Sequence, residues 1–224
     1  MNQAKKIEDF LINHDLGHGL GNEEIPCSIE DFLINHDLGH GLGNEEIPCS
    51  MAAINLATSG RLTDDIPDCM SEVIGHFIIC TQDSMPIDRI NSKDWKDILP
   101  LAAGTGRNNE SERSEIIKSW LFSDVLPLLQ DLANDKGFGV EWKKMTDMKD
   151  AVSCEKASDA GFASAAYAAY AHAAFAAYHA YDAYDAYHAS ASAAYAASAY
   201  HAYFDFEFWD KVQPENLLKK LIEV

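Results

Sequence analysis

Apolar residues recur at three- and four-residue steps through most of the chain, the spacing of a helix that buries one face. In DCMSEVIGHFIICTQD, the residues Met70, Val73, Ile74, Phe77, Ile78 and Ile79 keep this rhythm. Ser92 opens SKDWKDILPLAAG, whose Trp95, Ile98 and Leu99 form a core stripe. Ser50 reads as the cap of MAAINLATSG, with Met51, Ile54, Leu56 and Ala57 as a mixed apolar face and Gly60 as the stop. ESERSEIIKSWLF and SDVLPLLQDLAND predict two more helices, the second tolerating Pro127 through a local adjustment. Beyond Gly137 and Gly139, VEWKKMTDMKDAVSCEK is helical as well. FDFEFW reads as a short extended segment or a turn into the last helix. That helix is PENLLKKLIEV, with Pro214 in its first turn and Leu217, Leu218, Leu221 and Ile222 as a docking face. Strand-like alternation is scarce. The expected fold class is all-α, with a helical domain of short helices plus a long Ala/Tyr-rich amphipathic helix.

The amino-terminal part adds a perfect tandem repeat. Ile7 to Ser28 reads IEDFLINHDLGHGLGNEEIPCS, and Ile29 to Ser50 repeats the same 22 letters. Stacked structural repeats diverge and need about three or more units for stability, so two identical copies point to a recent duplication. If one site exists for this segment, one copy occupies it. The second adjoins Met51 with a fixed spacing and is expected to pack against the body, leaving the first to extend, to dock opportunistically or to swap into a neighbouring molecule. Ser28 can cap the second copy, with Asp31 at the third helical position. Phe32, Leu33 and Ile34 supply apolar contacts, and the glycines at 39, 41 and 43 end the helix in a loop. The expected organisation is 1–50 for the duplicated segment, 51–156 for a helical domain, 157–203 for the Ala/Tyr helix and 204–224 for a docking helix.

From Ala157 to Tyr203, 23 of 47 residues are alanine, and no Gly or Pro follows Gly161 until Pro214. Alanine has the highest helix propensity. One continuous helix would run about 70 Å at about 1.5 Å per residue, so it must protrude, break or pair. With His172 at zero on a wheel of about 100° per residue, Tyr170, Tyr181, Tyr184 and Tyr195 fall between about 120° and about 180°. Tyr167, Tyr178 and Tyr203 fall between about 220° and about 240°, and His179 and His201 lie beside His172. Several tyrosines recur at eleven residues, a spacing that favours straight or slightly right-handed packing. The tract reads as an adhesive aromatic stripe that packs on the body, on a second copy or on a protein partner. Small helical antifreeze proteins resemble it in alanine content and period, but their ice-facing threonines have no counterpart here. His172 and His179 are two turns apart, too far for one metal ion.

Charge narrows the partners. Seventeen basic residues stand against 36 acidic ones, for a net charge of -19. This balance excludes direct nucleic-acid binding and attraction to anionic membranes, and leaves open an acidic mimic of nucleic acid that captures a basic protein. The opening MNQAKKIEDF lacks the apolar stretch of a secretory signal, and no run approaches a membrane span. The five cysteines form no CxxC pair. A cytoplasmic location with reduced thiols is the expectation.

Catalytic motifs are sparse. His14-Asp15-Leu16-Gly17-His18, repeated as His36-Asp37-Leu38-Gly39-His40, resembles the central motif of HD-domain phosphohydrolases. That resemblance implies metal ligation by His14, Asp15, His18, His36, Asp37 and His40, with the metal activating water against a phosphate ester. It covers five residues; the upstream His and distant Asp of that family have no assignable counterpart. The glycines at 17, 19 and 21, and GTGR at 104–107, mimic phosphate loops without the strand and lysine these need. No catalytic residue is assigned and no cofactor is expected.

Three separated blocks keep a fixed order: CSMAAINLATSGRLTDDIPDCMSEVIGHFIICTQDSMP, then ILPLAAGTGR, then FWDKVQPENLLKKLIEV after the Ala-rich tract. In this they resemble a group of uncharacterised bacterial and phage-type proteins, over roughly residues 45 to 224. The resemblance implies the same architecture with a variable alanine tract and carries no activity. The reading that follows is a non-enzymatic helical protein mediating self-association or protein-partner binding, with a His-Asp phosphohydrolase or an acidic decoy as alternatives.

Overall fold

The computed structural model describes residues 28–163 and 207–224, together with positions 173, 174, 177 and 196. Of the described residues 69% are helical and none forms a strand; a lone antiparallel bridge joins Gly43 to Pro48. The fold class is all-α.

The second repeat copy opens with α1 (Ile29–Asn35). Ser28 caps it, its Oγ accepting from the Asp31 N–H at 3.2 Å. Seven residues give one face only: Ile29 and Leu33, four apart, are buried, while Ile34 points away and is 76% exposed. Ile34 therefore makes none of the core contacts expected of it. A loop follows with left-handed Gly41 and Gly43. Any Cβ at Gly43 would collide with the Ile47 carbonyl, so this turn needs glycine.

The central helices are α2 (Ser50–Ser59), α3 (Glu72–Gln82), α4 (Ile87–Ile90), α5 (Lys93–Ala102) and α6 (Glu110–Trp120). Ser71 and Ser92 cap α3 and α5 through the N–H groups of Ile74 and Trp95. The cap of α2 is Cys49 and not Ser50: its sulfur accepts from the Ala52 N–H at 3.3 Å. Ser50 is released for the core, where its hydroxyl accepts from Trp95 Nε1 at 3.1 Å. Gly75 lets α3 approach the 61–67 connection, where a Cβ would press into the Ile66 side chain. Met70, Val73, Ile74, Phe77, Ile78, Trp95, Ile98 and Leu99 are all buried.

Pro127 reshapes the next segment. After α6 the backbone widens into a π turn, Leu121–Val125, and then tightens into a 3-10 turn, Leu126–Leu129, before α7 (Gln130–Asp135) resumes. A proline lacks the N–H and crowds the preceding turn, so the ladder shifts register around it. The two helices expected from the sequence are thus one irregular rod. Conversely, the single helix expected over 140–156 is divided. α8 (Gly139–Met148) stops at left-handed Lys149, and α9 (Ala151–Ala163) restarts with Asp150 accepting from the Ser153 N–H at 2.7 Å. α9 runs through the change of composition at Ala157.

The chain closes with α10 (Phe208–Val212) and α11 (Pro214–Glu223), separated by left-handed Gln213. Phe208 and Trp209 are helical, so the end of FDFEFW turns into the last helices; Phe204, Asp205 and Phe206 lie outside the described residues. α11 buries Leu217, Leu218 and Leu221 against α3, α5 and α6, at the centre of the body. All four tryptophans are buried and each indole N–H donates to a distant group: Ser50 Oγ, and the carbonyls of Val212, Leu126 and Ser84.

Candidate interaction surface

The α8–α9 pair is built by burial on one side only. Trp142 and Met145 of α8 and Cys154 and Ala157 of α9 point into the core. Four-residue steps on the other side give Val140, Lys144 and Met148 along α8, and Val152, Lys156 and Ala160 along α9. Val140 is 66%, Met148 64% and Val152 57% exposed. The left-handed turn at Lys149 folds the two stripes toward one another, and an open groove of about 780 Å³ lies between the helices. Its lining includes Lys144, Met148, Val152, Lys156 and Asp159. Large apolar side chains ringed by charges of both signs suit an amphipathic surface from another protein.

The groove sits where α9 enters the alanine-tyrosine tract. Tyr167, Tyr170, Tyr178, Tyr181, Tyr184, Tyr195 and Tyr203, the expected adhesive stripe, lie outside the described residues, as does most of the long helix. Ala173, Ala174, Ala177 and Ala196 are described: each is helical and fully buried.

The His-Asp motif of the second copy is placed in detail. His36 Nδ1 donates to the Phe32 carbonyl at 2.9 Å, and its ring stacks on Phe32 at 3.9 Å between centroids. His40 Nε2 donates to the Met85 carbonyl at 2.8 Å. Asp37 is exposed and lies 3.7 Å from the Lys96 ammonium. The two imidazoles thus secure separate carbonyls, and among the described residues no group of three His, Cys, Asp or Glu side chains could hold a metal ion. His14, Asp15 and His18 lie outside the described residues. The GTGR loop is committed to the fold too: the Gly104 and Gly106 N–H groups both donate to the Cys69 carbonyl, at 3.0 and 2.9 Å. Amides turned inward in this way do not cradle a phosphate.

Cys49 and Cys154 are buried thiols. Burial pushes the Cys154 thiol up to about 12, with Asp150 adding to the effect. Burial also raises Cys49, against the opposing hydrogen bonds from Ala52 and Met51. Neither is primed as a nucleophile.

Sequence reading did not find the Val140–Met148–Val152 surface. In an unbroken helix Met148 and Val152, four residues apart, would read as one exposed stripe; the left-handed turn at Lys149 instead sets them on two helices that border one groove, and nothing in the spacing announces that turn. No family model matches the chain, and no curated protein or solved structure is similar to it.

Proposed function

We propose that this chain is a binding protein without catalysis of its own, which associates with a second copy or with another protein through the α8–α9 groove and the adjoining Ala/Tyr tract. The observation that carries the reading is the exposure of Met148 and Val152 on the two sides of one groove, with Val140 exposed nearby on α8, where most other large apolar side chains among the described residues are buried. Leaving such a cluster in water gains nothing for the monomer, whereas covering it stabilises an assembly by about 25 cal/mol per Å² of apolar area. A reducing, cytoplasmic setting belongs to the reading, since Cys49 and Cys154 are held as thiols.

Size-exclusion chromatography with light scattering tests it. The intact chain is expected to form a concentration-dependent oligomer or to retain a protein partner. The double variant Met148→Glu, Val152→Glu is expected to weaken that association at least about tenfold, a loss of roughly 1.4 kcal/mol, while unfolding at the same temperature. A chain that is monomeric at every concentration, and that retains nothing the variant loses, overturns the reading.

A further inference from the structure

The seat of the second repeat copy is fully specified. Ile29, Leu33 and Leu38 fill apolar space against α2 and α5. Asn91 holds the Leu38 backbone at both ends, its Oδ1 accepting from the N–H at 2.8 Å and its Nδ2 donating to the carbonyl at 2.9 Å. Gln82 Nε2 donates to the Gly39 carbonyl at 2.5 Å, Asp83 accepts from the Gly41 N–H at 2.9 Å, and Lys96 Nζ donates to the His36 carbonyl at 2.9 Å. Every seated group from Ile29 to Asn44 has an identical counterpart from Ile7 to Asn22. A seat that recognises one copy therefore recognises the other with the same contacts.

The connection after the seat permits the exchange. Gly43 to Ile47 forms a turn held within itself: the Asn44 Oδ1 accepts from the N–H groups of Glu46 and Ile47, each at 2.9 Å, and Glu45 and Glu46 are exposed. Exposed turns of this kind accept insertions. With Ile7–Asn22 in the seat, the chain would leave at the turn, run through Glu23–Asn44 as a loop, and rejoin at Glu45 without disturbing Pro48, Cys49 or the start of α2.

We infer that the first copy is an internal replacement for the second, able to take its seat by a 22-residue shift in register that moves the surplus from the amino terminus to the 43–47 turn. Two differences keep the second copy seated in the intact chain. Ser28 caps α1, whereas the first copy is preceded by Lys6, which cannot cap. The expelled loop also costs closure entropy, although this grows only with the logarithm of length. Damage to the second copy reverses the balance.

Thermal unfolding of full-length variants tests this. Leu33→Asp places a charge in the buried seat, and Leu11→Asp does so in its counterpart. Leu33→Asp alone is expected to unfold cooperatively, at least about 5 °C above Leu11→Asp, Leu33→Asp combined. Adding Lys6→Ser to Leu33→Asp supplies the missing cap and should raise the midpoint by about 2–4 °C, with no rise in the doubly substituted background. The milder pair Leu33→Ala and Leu11→Ala, Leu33→Ala should rank in the same order. Coincident melting of the single and double variants, in both the Asp and Ala series, overturns the inference. So does equal stabilisation by Lys6→Ser in both backgrounds, or a gap that widens with protein concentration, which would assign the rescue to a neighbouring molecule.

Discussion

Cys154 occupies the first turn of α9 with its thiol sealed from water. Its pKa stands at about 12 against an ordinary 9.0. Below about pH 9 the group is protonated whether the chain is folded or not, and stability does not depend on it. As the pH rises from about 9 toward about 12, the unfolded chain releases a proton that the folded chain retains, so folding stability falls across that window. Cys49 acts in the same direction. Urea unfolding of the intact chain is expected to show this alkaline decline, and Cys154→Ala is expected to make it shallower at some loss of packing near neutrality. At this scale the sequence was partly legible. Serines 28 and 92 precede helices and cap them as read, and Ser71 caps α3 without having been singled out. Cys49 escaped notice because the neighbouring serine is the better cap in isolation; the demand of Trp95 for a buried acceptor reassigns Ser50.

Helix identity was legible because the apolar spacing is strong, whereas helix boundaries followed from backbone events that spacing does not encode. Leu121, Phe122, Val125, Leu126 and Leu129 are all buried across the π and 3-10 turns, so the shift in register around Pro127 leaves the apolar face against the core. Lys149 adopts a left-handed conformation that few side chains favour, and no residue type there announces the break. Between elements, the latch on the 36–49 loop is Asn91, a residue from the far end of α4 that supplies both halves of a strand-like pairing. Asn91→Ala is expected to cost about 2 kcal/mol by stranding the buried Leu38 amide and its carbonyl. Hydrogen exchange should quicken at Leu38 and Gly39 while α6 keeps its protection. Uniform quickening across the body would show that the loop is not a separate unit.

The body is closed by side chains that reach across more than a hundred positions, and periodicity carries no trace of them. Arg113, 2% exposed, donates to the Leu221 carbonyl at 2.9 Å and also to the carbonyls of Asn108 and Gly106. Asn109 Nδ2 donates to the Val224 carbonyl at 2.6 Å. On the other side Arg89 spans Glu215 and Asp210. Desolvation alone would lower the Arg89 pKa, but these two carboxylates raise it. Arg113→Met should strand several carbonyls around α11, lowering stability by about 3 kcal/mol and the unfolding midpoint by roughly 6–12 °C. An unchanged midpoint in a calorimetric scan would remove Arg113 as the clasp. The all-α class and the docking of α11 could be read from the chain, but the partners of Arg89 and Arg113 could not. The burial of the four tryptophans has an optical consequence. Every indole lies in the body, at 95, 120, 142 and 209, and all nine tyrosines fall between 167 and 203. The molecule therefore carries two native chromophores assigned to two different regions. Emission excited at the red edge of the indole band follows the body, while phenol absorbance follows the tract, so one unlabelled sample can tell whether the two melt as a single cooperative unit.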